Sequence, residues 1–131
     1  MEKVWSIRLI RFSAIFGFIG TFIGSQMAGS MDYSLRPLHA HILLVGWLSA
    51  FAWGIFYKVY TVKFKKLVTI HSGLAMAGTL GLTVGMWMYN LNPFDLNQTF
   101  VTVFFIIGGS LLLLAFFVFI LITFFIETKD N

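Results

Sequence analysis

Residues 10–29, 38–60, 67–89 and 100–126 form four long apolar runs with very few charges, and this pattern decides what the chain can become. At about 1.5 Å per helical residue, each run reaches across a hydrocarbon core about 30 Å thick. Inside lipid every backbone N–H and C=O must find a partner within the protein. The runs show none of the alternation of a barrel strand, so each is predicted to be a helix. With 59% hydrophobic and 11% charged residues, the composition lies outside that of a water-soluble domain. The predicted fold is all-α, a single four-helix transmembrane bundle over residues 1–131 with the lipid bilayer as its surroundings.

Charge placement predicts the orientation. Lys3, Arg8 and Arg11 precede or open the first run, and Lys58, Lys63, Lys65 and Lys66 cluster between the second and third, whereas Arg36 is the one basic residue in the other two loops. Basic residues favour the cytoplasmic side, so both termini are expected there. Trp5, Tyr57 and Tyr60 then fall near the inner interface and Tyr33, Trp87 and Tyr89 near the outer one, as an aromatic belt requires. The net charge of +4 has the same origin, facing anionic lipid headgroups, and does not point to nucleic acid. Cysteine is absent, which removes disulfides, thiolate metal sites and iron–sulfur clusters. The connecting loops are too short for a soluble catalytic domain, so any chemistry lies within the bundle or at its two faces.

Gly20 and Gly24 in the first run, and Gly81 and Gly85 in the third, are spaced for close backbone approach between helices. The fourth run is crowded with Phe104, Phe105, Phe116, Phe117, Phe119, Phe124 and Phe125 and reads as a helix facing lipid or another subunit.

Ionisable groups at membrane depth are costly, and they tend to be retained where they bind, pair or conduct. The segment Arg36-Pro37-Leu38-His39-Ala40-His41 places a guanidinium and two imidazoles at the edge of the bilayer. Two residues apart on a helix, His39 and His41 point to nearly opposite sides, so they do not form one chelate. Helical steps from His39 lead through Leu43, Gly46, Ala50 and Trp53 to Tyr57, a face of small and aromatic residues, and make His39 the expected inward ligand. Steps from His41 lead through Leu44, Val45, Leu48, Ala52 and Ile55, a face suited to lipid or a neighbouring subunit. Arg36, one turn before His39, is placed to pair with a carboxylate such as a haem propionate. The third histidine, His71, lies about 12 Å above the inner loop against about 36 Å for His39, so the two cannot share one iron. Its expected role is packing and hydrogen bonding, or a ligand of a second site near the inner leaflet.

The run from Arg36 to Tyr57, with Arg36-Pro37-Leu38-His39, Gly46-Trp47 and Gly54, resembles the second helix of the catalytic subunit in the haem-copper oxidase superfamily. It is most similar to the nitric oxide reductases and C-family oxidases, and also to short stand-alone membrane proteins described as cytochrome c oxidase subunit I-like. The resemblance covers about one helix. It implies that His39 is an axial ligand of a low-spin haem; Trp53, further along the same face by helical steps, is a further candidate contact of that cofactor. Nothing in the chain matches the copper-holding histidines, the active-site tyrosine region or the later helix that supplies further haem ligands, so a complete oxidase or reductase is not expected from this chain alone.

The sixth ligand of such an iron would come from His41 or His39 of a second copy in a homo-oligomer, or from a methionine, of which Met86 is one of several near the outer end. The resulting expectation is a small b-type haem protein of a prokaryotic cytoplasmic membrane, acting in electron transfer with a respiratory-chain redox partner or in sensing haem ligands. Two other readings stay open. His39, His41 and the outer methionines would suit soft copper in an accessory protein. Alternatively, the chain is a ligand-free assembly or scaffold subunit whose histidines only hydrogen-bond.

Overall fold

The computed structural model describes residues 1–128. It contains four long helices: α1 (Glu2–Ser30), α2 (Arg36–Val59), α3 (Lys65–Leu91) and α4 (Gln98–Thr123). All four are long and apolar enough to cross a membrane, so the chain is a multi-pass membrane protein. Their chemistry sets their ends. Met31 and Asn92, both left-handed, terminate α1 and α3. Pro37 sits in the first turn of α2, where its missing N–H costs nothing.

Asn92 also braces the loop after α3, donating from Nδ2 to the Leu96 carbonyl and accepting from the Leu96 amide, each at 2.9 Å. Asn97 caps α4, its side-chain oxygen accepting from the amides of Thr99 and Phe100 at 2.9 and 3.3 Å. Asn97→Ala should therefore cost about 1 kcal/mol of stability. A thermal or denaturant melt in detergent checks this.

Two boundaries differ from the sequence expectation. α1 begins eight residues earlier than its apolar run because Lys3, Arg8 and Arg11 lie on its exposed side while Glu2, Ser6 and Leu9 face inward. α4 ends before residue 126, because the segment that follows pairs with the loop between α2 and α3. Val62 and Ile126 form an antiparallel bridge, with Lys63 N–H donating to Phe125 and Glu127 N–H to Thr61, each at 2.9 Å. Glu2 Oε1 accepts from the Val62 amide at 3.3 Å. The start of α1, this loop and the end of α4 are thus tied together at one end of the bundle, termed the basic end for its lysines.

Lipid gives helices little hydrophobic reason to associate, so contact depends on close packing at small residues. α3 and α4 meet in this way. A side chain at Gly78 would strike the Leu112 backbone at 2.5 Å, one at Gly85 would strike Phe105 Cα at 2.7 Å, and Gly81 lies directly on Gly108. The glycine spacing in the third run thus serves the predicted purpose. The phenylalanine-rich fourth helix lays one narrow face along α3, burying Val101, Gly108, Leu112, Ala115, Val118 and Ile122, and leaves most of its surface outward, as expected of a helix facing largely lipid or a subunit. Phe117 on its opposite side, and Phe124 just past its end, remain exposed.

The core has two parts. Leu9, Trp53, Tyr57, Val68, Ala75 and Ile122 pack toward the basic end, and Phe12, Phe16, Leu38, Ile42, Ala50 and Met86 form a second cluster further along α1.

The middle of α2, Ile42–Ser49, is π-helical. Its hydrogen bonds reach five residues along, widening each turn, and the Ser49 hydroxyl accordingly bonds the Leu44 carbonyl at 2.9 Å. Residues four apart then stay on one side, so Leu38, Ile42, Gly46 and Ala50 are all buried before Trp53 and Tyr57 take over. Gly46 is required here, because any side chain would overlap the Phe16 ring of α1.

Candidate functional site

The π-helical turns change where the histidines point. A regular helix would put His39 above Gly46, Ala50 and Trp53. The widened turns instead put Leu38 and Ile42 on that line, leaving His39 half-buried at the side of α2. There it meets the glycine face of α1. Its Nδ1 lies 2.8 Å from the Gly20 carbonyl oxygen. A Cβ on Gly24 would sit 2.7 Å from the imidazole Cε1. The Gly20/Gly24 spacing therefore accommodates a histidine and Leu43 beside it.

A carbonyl oxygen only accepts, so His39 Nδ1 must carry the proton and donate it. In the neutral ring this leaves Nε2 as a lone pair, the tautomer in which a histidine can ligate a metal. His41, also half-buried, makes the same kind of bond within its own helix, donating from Nδ1 to the Pro37 carbonyl at 2.8 Å. Beyond it Leu44, Leu48, Ala52 and Ile55 are exposed, as a lipid-facing side requires, whereas Val45, expected on the same side, turns partly inward and packs against the core. Arg36 is exposed, its guanidinium 5.1 Å above the Tyr33 ring, and has no carboxylate partner among the described residues.

Trp53 and Met86 are not brought to His39. Trp53 belongs to the basic-end cluster, where it packs edge-on against His71 at 4.8 Å between ring centres and against Phe116 at 4.9 Å. Met86 is buried with Leu38 and Ile42 in the second cluster. An apolar groove of about 500 Å³ lies between α1, α2 and α3, lined by Phe12, Phe16, Ile23, Leu38, Leu80 and Trp87 among others, and no histidine reaches its lining. No group of three or more histidine, aspartate or glutamate side chains placed to hold a metal ion occurs among the described residues.

His71 occupies a separate and fully buried site. Its Nδ1 pairs with the Tyr57 hydroxyl at 2.7 Å, and Trp53 and Phe119 enclose the ring. The vertical separation from His39 read from helical rise thus corresponds to two distinct neighbourhoods. Other buried polar residues of α1 and α3 were not singled out from the sequence: Glu2, Ser6, Ser72 and Thr79 are buried as His71 is. Their signal was present in the spacing of Glu2 and Ser6, and of Ser72, Thr79 and Thr83, along otherwise apolar helix faces.

Compared with known proteins, the chain matches no family model, no curated protein and no solved structure.

Proposed function

We propose that this chain is a small b-type haem-binding subunit of a prokaryotic cytoplasmic membrane, with its basic end on the cytoplasmic side and His39 as an axial ligand. The observation that carries the reading is the bond from His39 Nδ1 to the Gly20 carbonyl. A backbone carbonyl on the far ring nitrogen is the usual device that fixes a ligating imidazole and raises its basicity. Exposed Arg36, without a carboxylate of its own among the described residues, suits a propionate. These residues fit one axial position and one anionic contact.

A second axial donor is not assembled beside His39 among the described residues, because Met86 packs with Leu38 and His41 turns to its own helix. The reading therefore includes a homo-oligomer in which another copy supplies the second nitrogen. Bound haem would supply one-electron redox chemistry or a site for a small diatomic ligand, exchanging electrons with a respiratory-chain partner. The chain's own part is to fix the imidazole between α1 and α2 and to neutralise the propionate.

The test is an optical spectrum with metal analysis of protein purified in mild detergent. A Soret band, sharp reduced-minus-oxidised features and iron in fixed ratio to protein are expected. Copper without iron would replace this reading with a copper-handling one. Absence of both metals, together with failure to take up added haemin, would favour a ligand-free assembly subunit. That second reading has its own support, since all three imidazoles already hold a hydrogen bond inside the chain.

A further inference from the structure

The seam between α1 and α3, in the half of the bundle nearest the basic end, buries more hydrogen-bonding capacity than it pairs. The two helices run parallel there and are registered by a bond from the Trp5 indole to the Thr69 hydroxyl at 3.1 Å. α1 buries Glu2, Ser6 and Ser13 on one helical face, at steps of four and seven residues, and α3 buries His71, Ser72 and Thr79 in the same half of the bundle. Every one of them is fully enclosed except Glu2, which is 9% exposed. Ser13 satisfies its hydroxyl on its own helix, bonding the Ile10 carbonyl at 2.7 Å, and Thr83 does the same with Thr79. Ser6, Ser72 and Thr79 do not, and neither does Nε2 of His71.

An unpaired polar atom is expensive in a protein interior and more so at membrane depth. Several such atoms along one seam call for a ligand that is small and both donates and accepts, which is water. The residues also connect. The Ser72 hydroxyl lies beside the Tyr57 phenol, the phenol bonds His71, and the Glu2 carboxylate is within electrostatic reach of that phenol. α4 closes the far side with Phe116 and Phe119 and brings no charge.

We propose that this seam is a hydrated proton-exchange route from the basic end to His71, with water as its ligand. Glu2 stands at the entrance, Ser6 and Ser72 supply hydroxyl partners along it, and the Tyr57–His71 pair is its terminus. In each exchange a ring N–H passes its proton to a water molecule and takes one back, so charge and atom count at His71 are unchanged. The route lies at the opposite end of α2 from His39 and does not depend on haem.

The experiment uses the full chain, ¹⁵N-labelled at histidine, in lipid nanodiscs, with water itself as the probe. The His71 ring proton should exchange with deuterated water although the side chain is wholly enclosed. Combining Ser6→Val with Ser72→Ala should slow that exchange at least tenfold while the His39 and His41 signals stay in place. A native His71 ring proton that persists for days while that of His41 exchanges would overturn the proposal, as would an unchanged rate in the double variant.

If the double variant does not fold, the native exchange still decides. The melting temperature of Ser6→Ala decides independently, because the two cases have opposite signs for this wholly enclosed and unpaired hydroxyl. In a dry seam, deleting an unpaired hydroxyl leaves the melt unchanged or raises it, whereas in a hydrated one it breaks a water contact and lowers the melt.

Discussion

Gly108→Ala should unfold or dissociate this bundle more readily than any other single methyl addition in its helices. A Cβ at this position would overlap the Gly81 carbonyl and the Leu82 amide, which are backbone atoms with no rotamer to yield. α3 and α4 would have to separate along the seam that also holds Gly78 and Gly85, at a cost of about 3 kcal/mol or more. Gly73→Ala is the matched control. Nothing lies within 4 Å of its added carbon, so it should leave stability unchanged or raise it by up to about 1 kcal/mol through helix propensity. Parallel thermal melts of the two variants in one detergent would test this. Equal melting temperatures would show that the helices do not meet at Gly108.

His39→Ala should have the largest effect on the proposed activity. Removing the imidazole deletes the proposed axial donor, the half-buried ring whose Nδ1 is held by the Gly20 carbonyl of α1, so the reduced-minus-oxidised spectrum should vanish, not merely broaden. His41→Ala should weaken or shift the spectrum if a second copy supplies that ring. His71→Ala should leave it intact, because that ring is shut inside an aromatic cluster with Tyr57 and Trp53. The lost hydrogen bond and packing at Gly20 and Gly24 should lower stability by about 1 kcal/mol, so circular dichroism at working temperature separates lost ligation from lost fold. A His39→Ala protein that keeps its pigment would end the assignment.

How much of this was legible beforehand follows from what each signal measures. The four spans were readable because length and hydropathy report directly on crossing a bilayer, and the Gly81/Gly85 contact was readable because only small residues let backbones approach. The direction of His39 was not. Its placement assumed an unbroken period of 3.6 residues through Ile42–Ser49, and nothing in Ile42-Leu43-Leu44-Val45-Gly46-Trp47-Leu48-Ser49 announces a wider turn, since every residue but Ser49 is apolar or glycine on all sides. An unbroken helix would put Trp53 on the His39 face for the same reason, and it belongs with His71 instead. The side of the fourth helix that packs was equally hidden, because phenylalanine suits lipid and protein alike. The polar seam was visible as scattered serines and threonines, but hydroxyls in membrane helices usually bond their own backbone, and only three-dimensional neighbours reveal which ones fail to.

The tie among Glu2, Val62 and Ile126 has a consequence for biosynthesis. α1 is synthesised well before α4, yet the Glu2 carboxylate on α1 finds its backbone donor in the loop between α2 and α3, and that loop is itself held by residues that follow α4. Closure of that surface must therefore await synthesis of α4 and the residues after it, and a ribosome stalled before the fourth span would leave an open, incompletely sealed intermediate for membrane quality control to recognise.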